Sequence, residues 1–179
     1  RRQAALHPAP LYVPLGPGEV SATRMALLLR SAVPADRHAI EALVFSVLAD
    51  YGLRGDPEGT DRDLADLDGV YLKSGGTFDV LIDEAGEVVG SVGLSRISAT
   101  TCELRKMYLA SSARGQGEGR RLLLHALARA KQLGFRRVEL ETASVLREAL
   151  ALYVAHGFKP FIPAHLSPRC DCAYSLELS

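Results

Sequence analysis

Three glycines alternate with other residues at Gly115, Gly117 and Gly119, between a β-rich run and a long helical pattern. Glycines at a strand-to-helix turn let the backbone approach a ligand closely and turn its N–H groups towards it. The first N–H groups of the following helix are also unpaired, and they lie at the positive end of its dipole. Arg114 and Arg120 add positive charge at the same place. The segment therefore predicts a phosphate or pyrophosphate site, and an ordinary glycine-rich loop before a helix is the alternative.

Two well-known phosphate motifs do not match this segment. The Walker A motif needs Gly-Lys-Ser/Thr after four spacer residues, and the chain has no such tripeptide. The dinucleotide-binding motif needs Gly-x-Gly-x-x-Gly, but Arg120 stands three positions after Gly117, where the last glycine is required. The glycines therefore indicate neither of these nucleotide-binding classes.

Length and composition limit the classes of protein that this chain can be. It has 179 residues, of which 47% are apolar and 23% charged, which fits one domain with a sizeable core. Lys and Arg number 21 and balance 21 Asp and Glu, so a general electrostatic grip on nucleic acid is not expected. No apolar run approaches the roughly 20 residues that cross a bilayer. Neither a nucleic-acid partner nor a membrane partner is therefore predicted.

Cysteine and histidine spacing indicates neither a disulfide framework nor a metal site. The three cysteines, an odd number, are Cys102, Cys170 and Cys172, and none forms a Cys-x-x-Cys pair. The histidines have no metal-ligand spacing. We therefore expect a reducing, cytoplasmic location and no bound metal.

The chain divides at about residue 25. Residues 1–24 hold four prolines and show no helical or strand period, which predicts a loosely structured N-terminal extension. Residues 25–179 form the predicted domain. Its predicted strands are residues 26–30, 78–82, 88–94, 101–109, 137–142 and 170–178.

Helical patterns alternate with these strands. The first predicted helix follows Pro34 and Asp36 and carries an apolar stripe at helical spacing: Ile40, Leu43, Val44, Val47 and Leu48. Thr60 is a candidate N-cap of a short second helix, and residues 122–133 and 146–156 are the others. Antiparallel strands followed by alternating strands and helices predict an α+β domain with one mixed sheet.

A second patterned segment lies near the end of the chain, where residues 149–159 read Ala-Leu-Ala-Leu-Tyr-Val-Ala-His-Gly-Phe-Lys. It resembles the helix ending in Leu-Tyr-x-x-x-Gly-Phe of the GNAT superfamily of N-acetyltransferases. Residues 114–119, Arg-Gly-Gln-Gly-Glu-Gly, are similar to that family's Arg/Gln-x-x-Gly-x-Gly/Ala signature, which binds the pyrophosphate of acetyl-coenzyme A (acetyl-CoA). Residues 29–36 are similar to its first strand and helix start, so the resemblance covers roughly residues 25–179. Leu146 departs from the pattern, because many members carry an asparagine there near the cofactor.

The resemblance implies a GNAT-like acyl-CoA N-acyltransferase fold, an α+β fold with a mixed, mostly antiparallel sheet flanked by helices. In that fold two parallel central strands, here residues 103–109 and 137–142, splay apart to hold CoA. Backbone groups of Met107, Tyr108 and Leu109 would pair with the pantetheine arm like an added strand, and an N–H near Met107 would polarise the thioester carbonyl. The implied pyrophosphate-binding residues are Arg114, Gly115, Gln116, Gly117, Glu118, Gly119 and Arg120.

Two side chains are implied to carry the proton transfers. By resemblance, Tyr153 is the general acid that protonates the departing sulfur, and the alternative is a tyrosine of the apolar core. Glu103 is the candidate general base, acting directly or through a water molecule, because some members carry a carboxylate at the start of this strand. Its alternative is a salt bridge with a neighbouring arginine. Strand alternation also predicts that Glu103, Arg105 and Met107 share one face.

The function that the resemblance implies is transfer of an acetyl group from acetyl-CoA to a primary amine, by direct attack in a ternary complex. The acceptor is a small molecule, an amino acid or a peptide. Two alternatives stay open: a non-catalytic CoA-binding sensor or interaction module on the same fold, and a phosphate-binding enzyme of another type. Members of the family are often dimers, so a homodimer is a further expectation.

Charge is unevenly spread along the chain. Residues 50–68 contain seven acids and two arginines, whereas residues 103–147 contain ten bases and four acids. The basic half coincides with the predicted seat of a polyanionic cofactor. In the family the segment between the first two helices often lines the acceptor pocket, so the acidic segment predicts a cationic acceptor. A solvated acidic loop is the alternative.

Overall fold

One sheet runs through the part of the chain that the structure, a computed structural model, describes, residues 26–179. Its seven strands are β1 (Leu28–Ser31), β2 (Thr77–Ile82), β3 (Val88–Arg96), β4 (Thr101–Leu109), β5 (Arg137–Thr142), β6 (Lys159–Pro160) and β7 (Cys172–Glu177). They follow the order β1-β2-β3-β4-β5-β7-β6, and each neighbouring pair is antiparallel except β4 and β5, which are parallel. The predicted mixed, mostly antiparallel sheet is confirmed. The predicted extension, residues 1–24, lies outside the described residues.

Helices cover both faces of this sheet. They are α1 (Arg37–Asp50), α2 (Glu118–Gln132) and α3 (Arg147–Ala155). Along β2, Val80 and Ile82 pack into the apolar core beneath α1, while Leu81 between them packs into the core beneath α2 and α3. Because side chains alternate between the two faces of a strand, α1 lies on one face and α2 and α3 lie on the other.

The helix predictions are confirmed in place and corrected at their ends. The predicted apolar stripe of the first helix is the buried face of α1: Ile40, Leu43, Val44, Val47 and Leu48. α2 begins four residues before its predicted start, because its first turn is polar and the apolar period begins only at Leu122. Thr60 is not an N-cap, since a short 3-10 helix begins at Arg62 and a π-helical turn follows at Asp68–Leu72.

A β-bulge interrupts β4 at Lys106. Arg105 lies opposite Gly93 and Tyr108 lies opposite Ser91, so β4 carries one residue more than β3 over this stretch. Lys106 takes a left-handed backbone conformation with a φ of 51°, and the Ser91 hydroxyl donates a hydrogen bond to its carbonyl oxygen at 2.7 Å. An extra residue in one strand shifts the alternation of the side chains beyond it.

The bulge corrects the prediction that Met107 shares a face with Glu103 and Arg105. Met107 packs with Leu104 into the core beneath α2 and α3. Arg105 instead forms an ion pair with Asp63, on the α1 side of the sheet. Met107 therefore lies on the opposite face from Arg105, because the extra residue at Lys106 moves every later side chain of β4 to the other side.

The parallel strands β4 and β5 stay together over a short distance only. Their paired residues are Thr101 with Arg137, Cys102 with Val138 and Glu103 with Glu139. Beyond Glu103 and Glu139 both strands continue, but they are no longer paired with each other, while β5 remains paired with β7 to its end. The predicted splaying of these two strands is confirmed, and it opens the sheet at its centre.

Replacing Ser91 by alanine removes a donor from the buried carbonyl of Lys106. An unsatisfied buried acceptor costs about 1–3 kcal/mol, so we expect the free energy of unfolding in urea to fall by that amount. The control is Ser95→Ala, at another buried serine of β3, which we expect to change it by less than about 0.5 kcal/mol. Equal effects of the two substitutions would contradict a specific role for the Ser91 bond.

Candidate active site

A cavity of about 550 Å³ lies where β4 and β5 part. Glu103 and Arg105 line it from the α1 side of the sheet, and Leu152 and Tyr153 of α3 line it from the other side. The glycine-rich turn before α2 lines one end. The cavity therefore reaches through the sheet and joins its two faces.

Most of the predicted site residues meet at this cavity. Both predicted catalytic residues, Glu103 and Tyr153, line it. The predicted cofactor-binding residues in the lining are Met107, Tyr108, Leu109, Arg114, Gly115, Gly117, Gly119 and Arg120. Two others, Gln116 and Glu118, are not in the lining. Leu146 is part of it, so an apolar side chain stands where many GNAT members carry an amide.

The glycine turn leaves open space in front of its backbone. Gly115 and Gly117 have left-handed φ values of 74° and 85°, and no atom lies within 4 Å of where a Cβ would stand on either residue. A Cβ on Gly119 would already contact the side chains of Leu109 and Leu152, at 3.6 and 3.7 Å. The turn is followed directly by the first N–H groups of α2, which point out of the helix end. The geometry suits an anionic group held by backbone N–H donors.

The Arg114 side chain fixes the start of this turn to two neighbouring elements. Its Nε donates to the carbonyl oxygen of Leu109 at 2.9 Å, and its Nη2 contacts Asp50 at 2.8 Å. The guanidinium also lies over the ring of Tyr51, 5.4 Å from its centre. Arg114 therefore joins the end of β4 to the end of α1, and its charge is already paired before any ligand binds.

Two neighbouring side chains likewise turn back into the protein. Gln116 donates to the carbonyl oxygen of Ser112 at 2.9 Å, and the buried carboxylate of Glu118 pairs with Arg121 at 3.0 Å. Arg120, in contrast, is exposed and lines the cavity. Of the side chains in the predicted pyrophosphate-binding turn, Arg120 is therefore best placed to contact a phosphate, and Gln116 and Glu118 can contribute only backbone N–H groups.

Tyr153 lies at the bottom of the cavity, in the apolar core beneath α3. Its side chain is 5% exposed, its ring packs against Phe158 at 5.7 Å, and its hydroxyl points towards the sulfur of Met107 at 4.0 Å. Burial raises the pKa of Tyr153, so the hydroxyl keeps its proton at neutral pH. Tyr153 is thus a tyrosine of the apolar core that also lines the cavity, and its role as a general acid stays a prediction.

Glu103 approaches the cavity from the other face. Burial raises the pKa of its carboxyl, an effect that Arg105 opposes and that the neighbouring Glu141 reinforces. Arg105 is also the predicted salt-bridge partner, with its Nη1 3.7 Å from the Glu103 carboxylate. A carboxylate whose pKa is raised in this way is a better proton acceptor than an exposed one, and the long ion pair leaves it able to bind a proton.

A buried ion cluster behind Glu103 is missed by sequence reasoning. The carboxylate of Asp61 is fully buried; it contacts Lys106 Nζ at 2.6 Å and accepts two bonds from Arg169, both at 2.8 Å. Burial alone would raise the pKa of Asp61, but the hydrogen bonds from Arg169 and Lys106 hold it well below its ordinary value. The sequence does carry one signal for this cluster. Lys106 occupies the next position in the alternating series of Cys102 and Leu104, whose side chains are buried.

Three other acids of residues 50–68 also pair with cations. Asp63 lies 3.1 Å from Lys106 and 3.4 Å from Arg105, and Asp68 pairs with Lys73 at the surface. Asp50 pairs with Arg114. The segment therefore does not present a row of unpaired carboxylates, and its net negative charge is a weaker guide to the acceptor than its composition predicts.

The loop before β7 forms a further wall that the sequence did not indicate. Ser167, Arg169 and Cys170 line the cavity from this loop, together with Glu141 from β5. Both hydrogen bonds that Ser167 donates to Glu141 reach the same oxygen, Oε2. Glu141 could have been found from strand alternation, because Glu139 and Glu141 stand two residues apart in a predicted strand next to Glu103.

Two classes of feature are lacking in the part of the chain that the structure describes. Residues 26–179 include no helix that is both long and apolar enough to cross a bilayer. Over the same range, no three His, Cys, Asp or Glu side chains come together as a metal site would require. The three cysteines are all free thiols.

Comparison with known proteins identifies relatives of this chain. Residues 42–158 match the acetyltransferase (GNAT) family. The uncharacterized N-acetyltransferase YjgM of Escherichia coli (strain K12) is 37% identical over 137 residues, which is 74% of this chain and 81% of that protein.

Solved structures share the fold. An acetyltransferase of the GNAT family from Staphylococcus aureus Mu50 superposes with a TM-score of 0.81 at 21% identity, over 86% of this chain and all of that one. A GNAT superfamily phosphinothricin acetyltransferase from Sinorhizobium meliloti, in complex with acetyl-CoA, superposes with a TM-score of 0.68 at 24% identity, over 86% and 89% of the two chains.

Asp61→Asn is expected to destabilise the fold in a pH-dependent way. At neutral pH the variant leaves Arg169 without its counter-charge and Lys106 with Asp63 alone, which costs about 3 kcal/mol in free energy of unfolding. Because folding lowers the pKa of Asp61, its contribution is complete above the unfolded value of about 3.9 and is lost as the pH falls below it. Urea unfolding at pH 7 and pH 3 should therefore show a smaller difference between wild type and variant at pH 3.

Asp68→Asn is the matched control on the same segment. Its surface pair with Lys73 is exposed, so the change should cost less than about 1 kcal/mol. A destabilisation by Asp61→Asn that stays the same at both pH values would show that the ionised carboxylate is not what stabilises the cluster.

Proposed function

The chain belongs to the GNAT acetyltransferase family, and from this premise we propose that it transfers an acetyl group from acetyl-CoA to a primary amine by direct attack in a ternary complex. The observation that carries the proposal is the cavity through the sheet. A partly buried carboxyl with a raised pKa, Glu103, lines it from one side, and a protonated phenol, Tyr153, lines it from the other. Acetyl transfer to an amine needs one group to accept a proton and one to donate a proton, and we assign these roles to Glu103 and Tyr153.

The donor end of the cavity fits acetyl-CoA. The open space before Gly115 and Gly117 accommodates a diphosphate, with the N–H groups of the turn as donors and Arg120 beside it. The edge of β4 beyond Glu103 is not paired with β5, so backbone groups of Met107 to Leu109 are available to an extended pantetheine arm. When bound, acetyl-CoA supplies the acetyl group as an activated thioester.

The chain's own residues move the protons. Glu103 takes a proton from the acceptor ammonium, directly or through water, so that the nitrogen lone pair can form the new bond to the acetyl carbon. An N–H near Met107 stabilises the negative charge that develops on the carbonyl oxygen. Tyr153 gives its hydroxyl proton to the sulfur as the carbon–sulfur bond breaks, and the nitrogen's second proton replaces it. One proton in total leaves to solvent from Glu103.

A cytoplasmic location is part of the proposal, because three free thiols suit a reducing compartment. The homodimer implied by the family resemblance stays a prediction. A small-molecule, amino-acid or peptide amine fits the proposal, since the cavity lies open between α1 and the loop before β7.

The test is release of free CoA thiol from acetyl-CoA in the presence of a panel of primary amines. We expect release that depends on the amine and an acetylated product detectable by mass spectrometry. Acetyl-CoA that raises the melting temperature without transfer to any amine would overturn the proposal and favour a non-catalytic CoA-binding module. Stabilisation by nucleotides that CoA does not compete with would favour the other phosphate-binding class.

Tyr153→Phe is expected to lower kcat by about a hundredfold, because general acid catalysis of this kind contributes roughly 100- to 10,000-fold. The dissociation constant of acetyl-CoA should stay nearly the same, since the ring and its packing against Phe158 are kept. Stopped-flow or steady-state rates combined with calorimetric binding measure both quantities. Tyr174→Phe, on β7 and outside the cavity lining, is the control, and an unchanged rate in Tyr153→Phe would remove Tyr153 from the mechanism.

Glu103→Gln is expected to remove the fall of kcat/KM at low pH. In the wild type, kcat/KM should fall as the pH drops through the raised pKa of Glu103, since the protonated carboxyl cannot accept a proton. An alkylamine acceptor stays protonated throughout this range, so its own titration does not overlap with that of Glu103. Glu139→Gln is the control, because Glu139 is the register partner of Glu103 but pairs with Arg137 outside the cavity lining. A fall that persists in Glu103→Gln would assign the base to another group.

A further inference from the structure

Glu141 is a second carboxylate on the acceptor side of the cavity. It stands two residues after Glu139, the register partner of Glu103, and lines the same cavity. Two residues along a strand span about 6–7 Å and neighbouring strands lie about 4.8 Å apart, so the backbones at Glu103 and Glu141 are about 8 Å or more apart. The two groups are close enough for Glu141 to raise the pKa of Glu103.

Glu141 is held in place by neutral donors. The backbone N–H and the hydroxyl of Ser167 both bond to its Oε2, at 2.9 and 2.7 Å. Within residues 26–179 neither an ion pair to Glu141 nor a bond to its Oε1 is present. Its orientation is therefore fixed, and although its charge interacts with Arg105 at a distance, no cation among the described residues is in direct contact with it.

The ion pairs around it explain why no cation on this wall contacts Glu141 directly. The three cations on this wall are directed at other carboxylates: Lys106 at Asp61 and Asp63, Arg105 at Asp63 and Glu103, and Arg169 at Asp61. Four carboxylates thus face three cations, and the unbalanced negative charge belongs to Glu141. Holding such a charge in a partly buried cavity is unfavourable unless a ligand supplies the counter-charge.

We propose that Glu141 is a specificity-determining residue that binds a second positive group of the acceptor, so that the acceptor class is a diamine or another amine with a cationic group about four carbons further on. The attacking nitrogen lies at Glu103, and the second ammonium or guanidinium lies at Glu141 Oε1. The inference rests on the proposed acetyl transfer, and it adds the charge and approximate length of the acceptor.

The test compares 1,4-diaminobutane with n-butylamine, which has the same chain but a single amine. In the wild type we expect kcat/KM for the diamine to exceed that for the monoamine by roughly tenfold to a hundredfold, beyond the statistical gain from its two amines. Glu141→Gln keeps the Ser167 bonds and should lower the ratio of kcat/KM for the diamine to kcat/KM for the monoamine to about the statistical factor, measured at a pH where Glu103 is ionised in both proteins. Glu139→Gln is the control and should keep the preference, since that carboxylate is already paired with Arg137.

The outcomes separate the two claims. Equal use of both amines by the wild type would overturn the inference and leave acetyl transfer standing. Loss of activity by the same factor for both amines in Glu141→Gln would also overturn it, because a merely structural role predicts that result. Acetyl-CoA binding without transfer to either amine would overturn the proposed function and the inference with it.

Discussion

The site depends on an interruption of backbone pairing at the centre of a sheet. Unpaired backbone groups are costly when they are buried, so a sheet normally closes such gaps. Here β5 keeps its full pairing with β7, and the unpaired edges of β4 and β5 face the cavity. The bulge at Lys106 lies in β4 next to the gap, and the Ser91 hydroxyl satisfies its carbonyl oxygen. The proposed acetyl transfer needs this opening, because it is where residues from the two faces of the sheet line one cavity.

The ion cluster around Asp61 supports the opened region. Asp61 joins three segments that are distant in the chain: the turn before the 3-10 helix that begins at Arg62, the bulge of β4 and the loop before β7. Lysine rarely takes a left-handed backbone conformation, and the strain at Lys106 persists because its ammonium is held by Asp61 and Asp63. The same charges that stabilise the bulge are thereby withdrawn from the cavity, and Glu141 is left as its unbalanced carboxylate.

Elements with a strong period were predictable, and those set by long-range contacts were not. The stripe of α1, the bounds of β4 and β5 and the glycine turn follow from local patterns, and two spaced motifs were enough to place Tyr153 and Glu103 at one cavity. The predicted face of Met107 was wrong, because the alternation of residue types in a strand does not reveal a single extra residue. Asp61 and Arg169 lie 108 residues apart, so no local spacing could indicate their pairing.

Because of the Asp61 cluster, the two ends of the cavity also differ in rigidity. On the acceptor side, any outward swing of the loop before β7 must separate Arg169 from a buried carboxylate, which is costly enough to keep that wall preorganised. At the donor end, the backbone of Gly115 and Gly117 has no side chains to restrain it and open space in front. For the proposed acetyl transfer, this implies that acceptors are selected by their fit to a rigid wall, whereas the end at the glycine turn can adjust its shape to the donor.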